Sequence, residues 1–201
     1  MMMLSVRGML ATAALFSLCS AVSADENRLY ITQDSGLFDQ SGNTIFVDQS
    51  LATNSIVLGV PDGVALNNGT ISPVDPANSP LTQIGSANSA TVNLSGAFSL
   101  GMLSQNGNGN NANINVSGAG SIGAIRQTGD RNFGEVDVTG GGLTGILIQK
   151  GNDNAQVLNV TNANVIWTQN GDNIALGSGV PGLTPPSVVS NGGTVIVTQT
   201  K

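Results

Sequence analysis

The chain has 201 residues with a formal net charge of −6, and only 9% of its residues are charged and 3% are aromatic. It contains no histidine and a single cysteine, Cys19, so the commonest general base and the commonest zinc ligands are missing. An acidic chain also lacks the basic surface that nucleic acid requires. We therefore predict that it is not an enzyme and has no cofactor, no metal site, no small-molecule substrate and no nucleic-acid partner.

Residues 1–24 have the composition of a signal peptide. Arg7 supplies a positive charge, Met9–Leu18 form an apolar run, and Val22 and Ala24 stand three and one residues before a cleavage site. A mainly apolar run of ten residues is too short to span a bilayer, so a membrane anchor is the weaker interpretation. We expect export and cleavage after Ala24.

Residues 25–80 are predicted to form an irregular N-terminal segment with degenerate repeats. Two short stretches, 29–33 and 44–49, have the alternating pattern of strands, and each ends in Gln. Asn54 follows Gln49 by five residues, the spacing of the regular repeats described below, so a degenerate copy is predicted to begin there. Four prolines then interrupt the pattern and predict a long loop: Pro61, Pro73, Pro76 and Pro80.

A repeat of 22 residues runs through residues 81–176. The recurring Gln residues are Gln83, Gln105, Gln127 and Gln149, and Gln169 follows after 20 residues. Gly stands two positions after the first four (Gly85, Gly107, Gly129 and Gly151), and Asn stands five positions after them (Asn88, Asn110, Asn132 and Asn154). A fixed period of this length is typical of proteins in which each repeat buries its apolar face by stacking on a neighbour.

Counting outward from each Gln in steps of two places small, apolar or amide side chains on one face. Before Gln105 these residues are Gly101 and Leu103, and after the turn they are Ala112 and Ile114. Each repeat therefore reads as a strand, a four-residue turn and a second strand. We predict an all-β fold, a cross-β type β-solenoid of stacked strand–turn–strand rungs of about 22 residues each. Residues 177–201 are predicted to form a loop and a terminal repeat strand.

The equivalent Gln and Asn residues would lie directly above one another in such a stack. Their amides could then form hydrogen-bonded ladders along the stack, as in cross-β fibrils. We expect these ladders to support self-assembly, with the glycines as turn residues. The alternative is that the amides satisfy polar corners of a monomeric solenoid. The turn residues Asp130, Asp153 and Asp172 are predicted to shape turns rather than to bind calcium, and Trp167 is predicted to fill the core.

Two further patterns concern the outer surface. The outward positions of the first strand are apolar at Leu100, Met102, Ile122, Ala124, Ile146, Ile148, Ile166 and Ile196. We predict that this face is covered, either by residues 25–80 or laterally by another fibril. Charged residues crowd into one repeat, at Arg126, Asp130, Arg131, Glu135 and Asp137. They either slow premature assembly as gatekeepers or keep the surface solvated.

The motif Ser-x5-Gln-x-Gly-x2-Asn-x-Ala resembles the curlin repeat, the unit of bacterial curli amyloid fibres. Ser99, Gln105, Gly107, Asn110 and Ala112 match it in full, and the resemblance covers roughly residues 79–176. The family repeat usually has a second inward Gln four residues after the Ala. Aliphatic residues stand at that place here: Leu94, Val116, Val138 and Val160.

The resemblance implies a secreted structural protein that forms extracellular curli-like fibres for adhesion and biofilm matrix. Such a protein is a homopolymer at the cell surface, exported through the periplasm, with other curli-type subunits and an outer-membrane secretion channel as partners. The resemblance leaves open whether the chain is a major, nucleating or accessory subunit. The alternative is a monomeric β-solenoid that acts as a surface adhesin or binds glycans.

Overall fold

The structure is a computed structural model that describes residues 27–34, 42–60, 79–174 and 192–201. These residues contain no helix and form fourteen strands in two sheets, and neighbouring strands pair in parallel throughout. The predicted all-β class is therefore confirmed. The predicted signal peptide, most of the proline-rich loop and the loop at 177–191 lie outside the described residues.

From β5 to β13 the strands of the two sheets alternate along the chain. Sheet A consists of β1 (Arg28–Leu29), β2 (Ile31–Asp34), β4 (Ile56–Leu58), β5 (Leu81–Ile84), β7 (Leu100–Asn106), β9 (Ile122–Thr128), β11 (Thr144–Lys150), β13 (Asn164–Asn170) and β14 (Thr194–Thr200). Sheet B consists of β3 (Thr44–Asp48), β6 (Ser89–Leu94), β8 (Asn111–Val116), β10 (Phe133–Val138) and β12 (Ala155–Val160). Each regular repeat contributes one strand to each sheet.

Equivalent residues of successive repeats pair with one another. Gln105 pairs with Gln83 on one side and Gln127 on the other, and in sheet B Ala112 pairs with Ala90 and Gly134. The repeat that ends at β12 is two residues shorter than the others. The chain absorbs this difference in the corner, which has three residues after β12 but five after β10, so β11 and β13 keep the same register.

One sheet A strand is split into two pieces. β4 and β5 pair with the first and second halves of β7, although residues 59–80 separate them along the chain. The Gly59 N–H donates to the Ser79 carbonyl at 2.7 Å, which closes the base of this insertion. A Cβ atom at Gly59 would lie 2.0 Å from the Pro80 carbonyl oxygen, so only glycine allows the two ends to approach this closely.

The N-terminal copies differ from the prediction in register. Gln33 pairs with Gln83, so Gln33 is the Gln of the first copy. Asp48 pairs with Asn93, which places Gln49 on the sheet B side, level with Leu94. The prediction that a degenerate copy of the repeat begins at Gln49 is therefore wrong. Asn54 lies in the corner before β4, so its distance of five residues from Gln49 reflects the corner and not the turn of a repeat.

The core lies between the two sheets and contains the inward residues predicted by the alternation. Leu103, Ile125 and Leu147 of sheet A pack with Ile114 and Val136 of sheet B, and all five are 0% exposed. Fully burying one such side chain contributes roughly 1.5–3 kcal/mol, so this repeated column dominates the stability. Trp167 is buried in the same cluster, as predicted.

A second apolar cluster lies on the outer face of sheet A. Met102, Ala124, Ile146 and Ile166 point away from the inner core and are nevertheless buried within the single chain. Val60, which follows β4, packs in this cluster, so the segment 25–80 contributes to it. The prediction that this face is covered therefore holds for these four residues. The equivalent Ile196 on the last strand is exposed.

Candidate functional site: amide ladders and the ends of the sheets

The predicted Gln residues form a continuous ladder of side-chain hydrogen bonds. In each step the Nε2 group of one Gln donates to the Oε1 atom of the Gln in the next repeat. The ladder runs through Gln33, Gln83, Gln105, Gln127, Gln149, Gln169 and Gln199, with Nε2–Oε1 distances of 2.8, 2.7, 2.9, 2.9, 2.8 and 3.1 Å in that order. All donors therefore point toward the C-terminal end of the stack.

The same amides also connect the two sheets. Gln127 donates through Nε2 to the Asn111 carbonyl at 2.9 Å and to the Asn132 carbonyl at 3.1 Å, in addition to its bond with Gln149. Gln105 and Gln149 likewise donate to backbone carbonyls, each at the first residue of a sheet B strand. A buried amide that is left unpaired costs about 1–3 kcal/mol, so this column is stable only while each repeat has its neighbours.

The predicted Asn residues form a second ladder with the opposite direction. Asn110 donates through its backbone N–H and Nδ2 to Asn88 Oδ1 at 3.0 and 3.1 Å, and Asn132 donates to Asn110 in the same way. The donors point toward the N-terminal end, where Asn43 accepts from Asn88. At the other end the Oδ1 atom of Asn154 accepts from the backbone N–H of Ile174, and the Asn ladder stops there.

The predicted glycines lie in the turns between the sheets, with the left-handed backbone that such turns require. Gly85, Gly107, Gly129 and Gly151 have φ values of 103°, 133°, 107° and 112°. A Cβ atom at Gly129 would lie 2.2 Å from the carbonyl oxygen of Gly151 in the next repeat. Stacking of the turns therefore requires glycine here for two reasons, the backbone angle and the close approach.

The acidic turn residues bind backbone groups of neighbouring repeats, which agrees with their predicted role as turn residues. Asp130 accepts from the backbone N–H of Asn108 at 2.7 Å, and Asp172 accepts from that of Asn152 at 2.7 Å. Asp153 forms a two-pronged ion pair with Arg131, with both N–O distances at 2.7 Å. This pair lowers the pKa of Asp153, through the hydrogen bond from Arg131 above all.

The outer face of sheet B is polar. Asn115 donates to Asp137 at 2.6 Å and accepts from Asn93 at 2.8 Å, so amide and carboxylate side chains of successive repeats bond along this face as well. Glu135 lies beside Asp137 on β10. Partial burial, followed by repulsion from Asp137, raises the pKa of Glu135 above its usual value.

The two ends of the stack are open in different ways. Among the described residues the last strand, β14, pairs only with β13. Its inward residues Val195, Val197 and Gln199 are half-buried, whereas their equivalents inside the stack are fully buried. The first strands, β1 and β2, expose Leu29 and half-bury Ile31 and Gln33. Within the described ranges, both ends thus present sheet edges that no other strand pairs with, and their inward side chains are partly exposed.

The ladder extends beyond the residues predicted for it. Gln33, Asn43 and Gln199 belong to the ladders but stand outside the regular spacing, because insertions separate them from the repeats at 83–169. Gln33 and Gln199 could have been found from the alternating strands that precede them. In the part of the chain that the structure describes, no group of three His, Cys, Asp or Glu residues could hold a metal ion. The described residues also contain no helix that is long and apolar enough to span a membrane.

Comparison with protein-family models, with curated proteins and with solved structures found no match to this chain.

Proposed function

We propose that this chain is a secreted structural subunit with a β-solenoid fold that stacks end to end into an extracellular curli-like amyloid fibre. The fibre serves adhesion and biofilm matrix at the cell surface. The observation that carries the proposal is the Gln ladder, which passes through every repeat of sheet A and reaches both open ends of the stack. Addition of a second copy extends this ladder without any new kind of contact.

The hydrogen-bonding groups at the two ends are complementary. Gln199 accepts from Gln169 and Trp167, and its own Nε2 donors bond to no other residue in the described ranges. At the other end Gln33 donates to Gln83 and to the Asn43 carbonyl, while its Oε1 acceptor receives no bond from the described residues. Gln199 of one copy can therefore donate to Gln33 of the next. Two C-terminal ends would place donor against donor, so the proposed fibre is polar.

The apolar groups at the ends also match. If Gln199 lies beside Gln33, the parallel register places Val197 beside Ile31 and Val195 beside Leu29. These inward residues are partly exposed at the ends and would complete the inner core of the joined stack. Four of the seven exposed large hydrophobic residues in the described ranges lie at these ends: Leu29, Phe46 and Leu51 in the first repeat and Ile196 in the last, with exposures of 40%, 52%, 80% and 62%.

The position of Gln49 supports the proposal that other curli-type subunits are partners of this chain. It follows the first strand of sheet B directly and stands level with the aliphatic residue Leu94, and thus at the position of the second family Gln. A subunit with two Gln columns could therefore continue from this end with both of them. Export through the periplasm and passage through an outer-membrane channel belong to the same proposal, and it covers major, nucleating and accessory roles.

The test is assembly of residues 25–201 after release from denaturant at micromolar concentration. We expect dye-binding fibres after a lag, with diffraction spacings near 4.8 and 10 Å. Gln199→Leu should lengthen the lag, because it removes the donors at one end, whereas Thr198→Ala on the outward side of the same strand should leave it unchanged. Growth only with a second subunit supports an accessory role. A stable monomer that never assembles contradicts the fibre and favours a monomeric adhesin.

A further inference from the structure

The corners that connect each sheet B strand to the next sheet A strand form one long edge of the stack, which we call the corner edge. It consists of five successive corners, at residues 49–55, 95–99, 117–121, 139–143 and 161–163. Backbone hydrogen bonds hold them above one another. The Phe98 N–H donates to the Thr53 carbonyl at 2.8 Å, and the Gly120 N–H donates to the Ala97 carbonyl at the same distance.

The corner edge differs from the opposite edge of the stack in its charge. None of the residues in the five corners is charged, whereas the turns at the opposite edge contain Asp130, Arg131, Asp153 and Asp172. The chain as a whole has a net charge of −6, so two copies repel one another. This repulsion is weakest where an uncharged edge of one copy faces the same edge of another.

Two large apolar side chains project from adjacent corners of this edge. Leu51 and Phe98 are 80% and 68% exposed, the highest values among the large hydrophobic residues that the structure describes. Phe98 has a φ of 57°, which strains a bulky residue, while Gly120 and Gly142 adopt 66° and 68° at the equivalent position without strain. A strained aromatic residue with little contact to its own chain indicates a contact with another molecule.

The corners also differ in length along the stack. From the N-terminal end they contain seven, five, five, five and three residues. A longer corner projects further from the sheets, so the edge protrudes at one end and is recessed at the other. A Cβ atom at Gly142 would meet no atom within 4 Å, so there is open space above this corner. The same edge turned end for end has the reverse profile and therefore fits against it.

We propose that the corner edge pairs with the corner edge of a second copy, related by a two-fold axis through the middle corner at 117–121. Leu51 of each copy then packs on the short corner at 161–163 of the other, and Phe98 packs over Gly142 of the other. A second copy in the same orientation would bring the two long corners together and hold the short corners apart.

The paired area is small for a single chain. Five corners at a spacing of about 4.8 Å extend over roughly 24 Å, and the two sheets lie about 10 Å apart. The contact is therefore smaller than the roughly 800 Å² that each partner buries in a standard interface, and we expect weak pairing. The corner edge lies on the side of the stack, so the pairing does not depend on the proposed end-to-end assembly.

The test is disulfide trapping in the full chain with Cys19→Ser, which removes its single native cysteine. Ala119→Cys places a thiol at the axis, so two identical chains should form a disulfide under mild oxidation. Chains with Thr53→Cys or Asn162→Cys should stay unlinked alone and form a mixed disulfide when combined. Asn111→Cys is the matched control, because Asn111 is exposed on β8 at the same level of the stack but away from the corner edge.

The apolar contacts are tested in the Ala119→Cys background. Phe98→Gly introduces the residue of the equivalent corners, and Leu51→Ser removes the other projecting side chain. Each change removes two buried side chains from every pair, so each should slow the disulfide at least about tenfold at low chain concentration. Circular dichroism establishes that each variant keeps its strand content.

Three results would overturn the proposal. They are an Ala119→Cys disulfide that forms no faster than that of Asn111→Cys, a Thr53→Cys chain that links to itself, and an unchanged rate in both Phe98→Gly and Leu51→Ser. End-to-end contacts cannot produce the Ala119→Cys disulfide, because the middle corner lies away from both ends. A chain that pairs through this edge but forms no fibres supports the pairing and contradicts the fibre, and fibres without the disulfide do the reverse.

Discussion

Replacing Gln127 by leucine tests whether the Gln ladder stabilises the fold. The side chain is fully buried and is bonded to Gln105 before it and Gln149 after it. Leucine would leave one N–H of Gln105 and the Oε1 atom of Gln149 without partners. At about 1–3 kcal/mol for each orphaned group, the loss is about 2–6 kcal/mol. Burial of the leucine side chain offsets about 2 kcal/mol, so we expect a net loss of about 2 kcal/mol and at most about 4 kcal/mol.

The assay is denaturant unfolding of the soluble chain at low concentration. Trp167, the single tryptophan, is buried in the core and reports its own exposure by fluorescence. The matched control is Gln156→Leu, which also replaces a buried glutamine on an inward position. Gln156 donates to the backbone carbonyl of Val157 and takes no part in the ladder, so we expect this change to cost less than about 1 kcal/mol. Equal losses for the two variants would refute a stabilising role for the ladder.

Three further changes test the turns, a corner and the charged face. Gly129→Ala should lower the free energy of unfolding by more than about 2 kcal/mol, because the new methyl group meets the Gly151 carbonyl at a positive φ. Phe98→Gly should raise it by about 1 kcal/mol, since Phe98 has a φ of 57° and is 68% exposed. Glu135→Gln should stabilise the chain at pH 7. Burial and the neighbouring Asp137 raise the pKa of Glu135 in the folded chain, so the folded state loses stability as pH rises from the usual pKa of 4.5 through the raised value. Each is measured by the same unfolding assay.

The controls use a second glycine and a second pH. Gly141→Ala changes a corner glycine that has no positive φ and no close backbone contact, so its stability should stay near that of the parent. For Phe98→Gly, an unfolding free energy below that of the parent would show that the exposed ring contributes a contact. For Glu135→Gln, the gain should be larger at pH 7 than at pH 4. A gain that is the same at both values would contradict a raised pKa for Glu135.

The alternation of side chains predicted most of the fold. A strand places every second residue on one face, so the small and apolar residues around Gln105, Gln127 and Gln149 identified the inward columns and the two strands of each repeat. The ladders followed from the same count, because residues with equal positions in a parallel stack lie above one another. The structure pairs these residues as the 22-residue period predicts.

The remaining features depend on contacts that the spacing of the repeats in the sequence does not specify. β4 and β5 are one strand in space but are separated along the chain by residues 59–80, so the spacing that identifies a repeat was lost and Gln33 stood apart from Gln83. The position of Gln49 was misread because a corner of the right length imitates the spacing of a turn. The directions of the two ladders depend on amide orientation, which the identity of Gln or Asn does not determine.

The single direction of the Gln ladder has an electrical consequence. Amide groups that bond head to tail in one direction add their dipoles, and in a helix this sum produces partial charges at the two ends. Here every Gln amide donates to the Gln of the next repeat. The amides of Asn110 and Asn132, in contrast, each donate through Nδ2 both to the Asn of the preceding repeat and to a turn carbonyl of the next. The Gln column therefore gives the C-terminal end of the stack a partial positive charge and the N-terminal end a partial negative charge, so unlike ends attract each other.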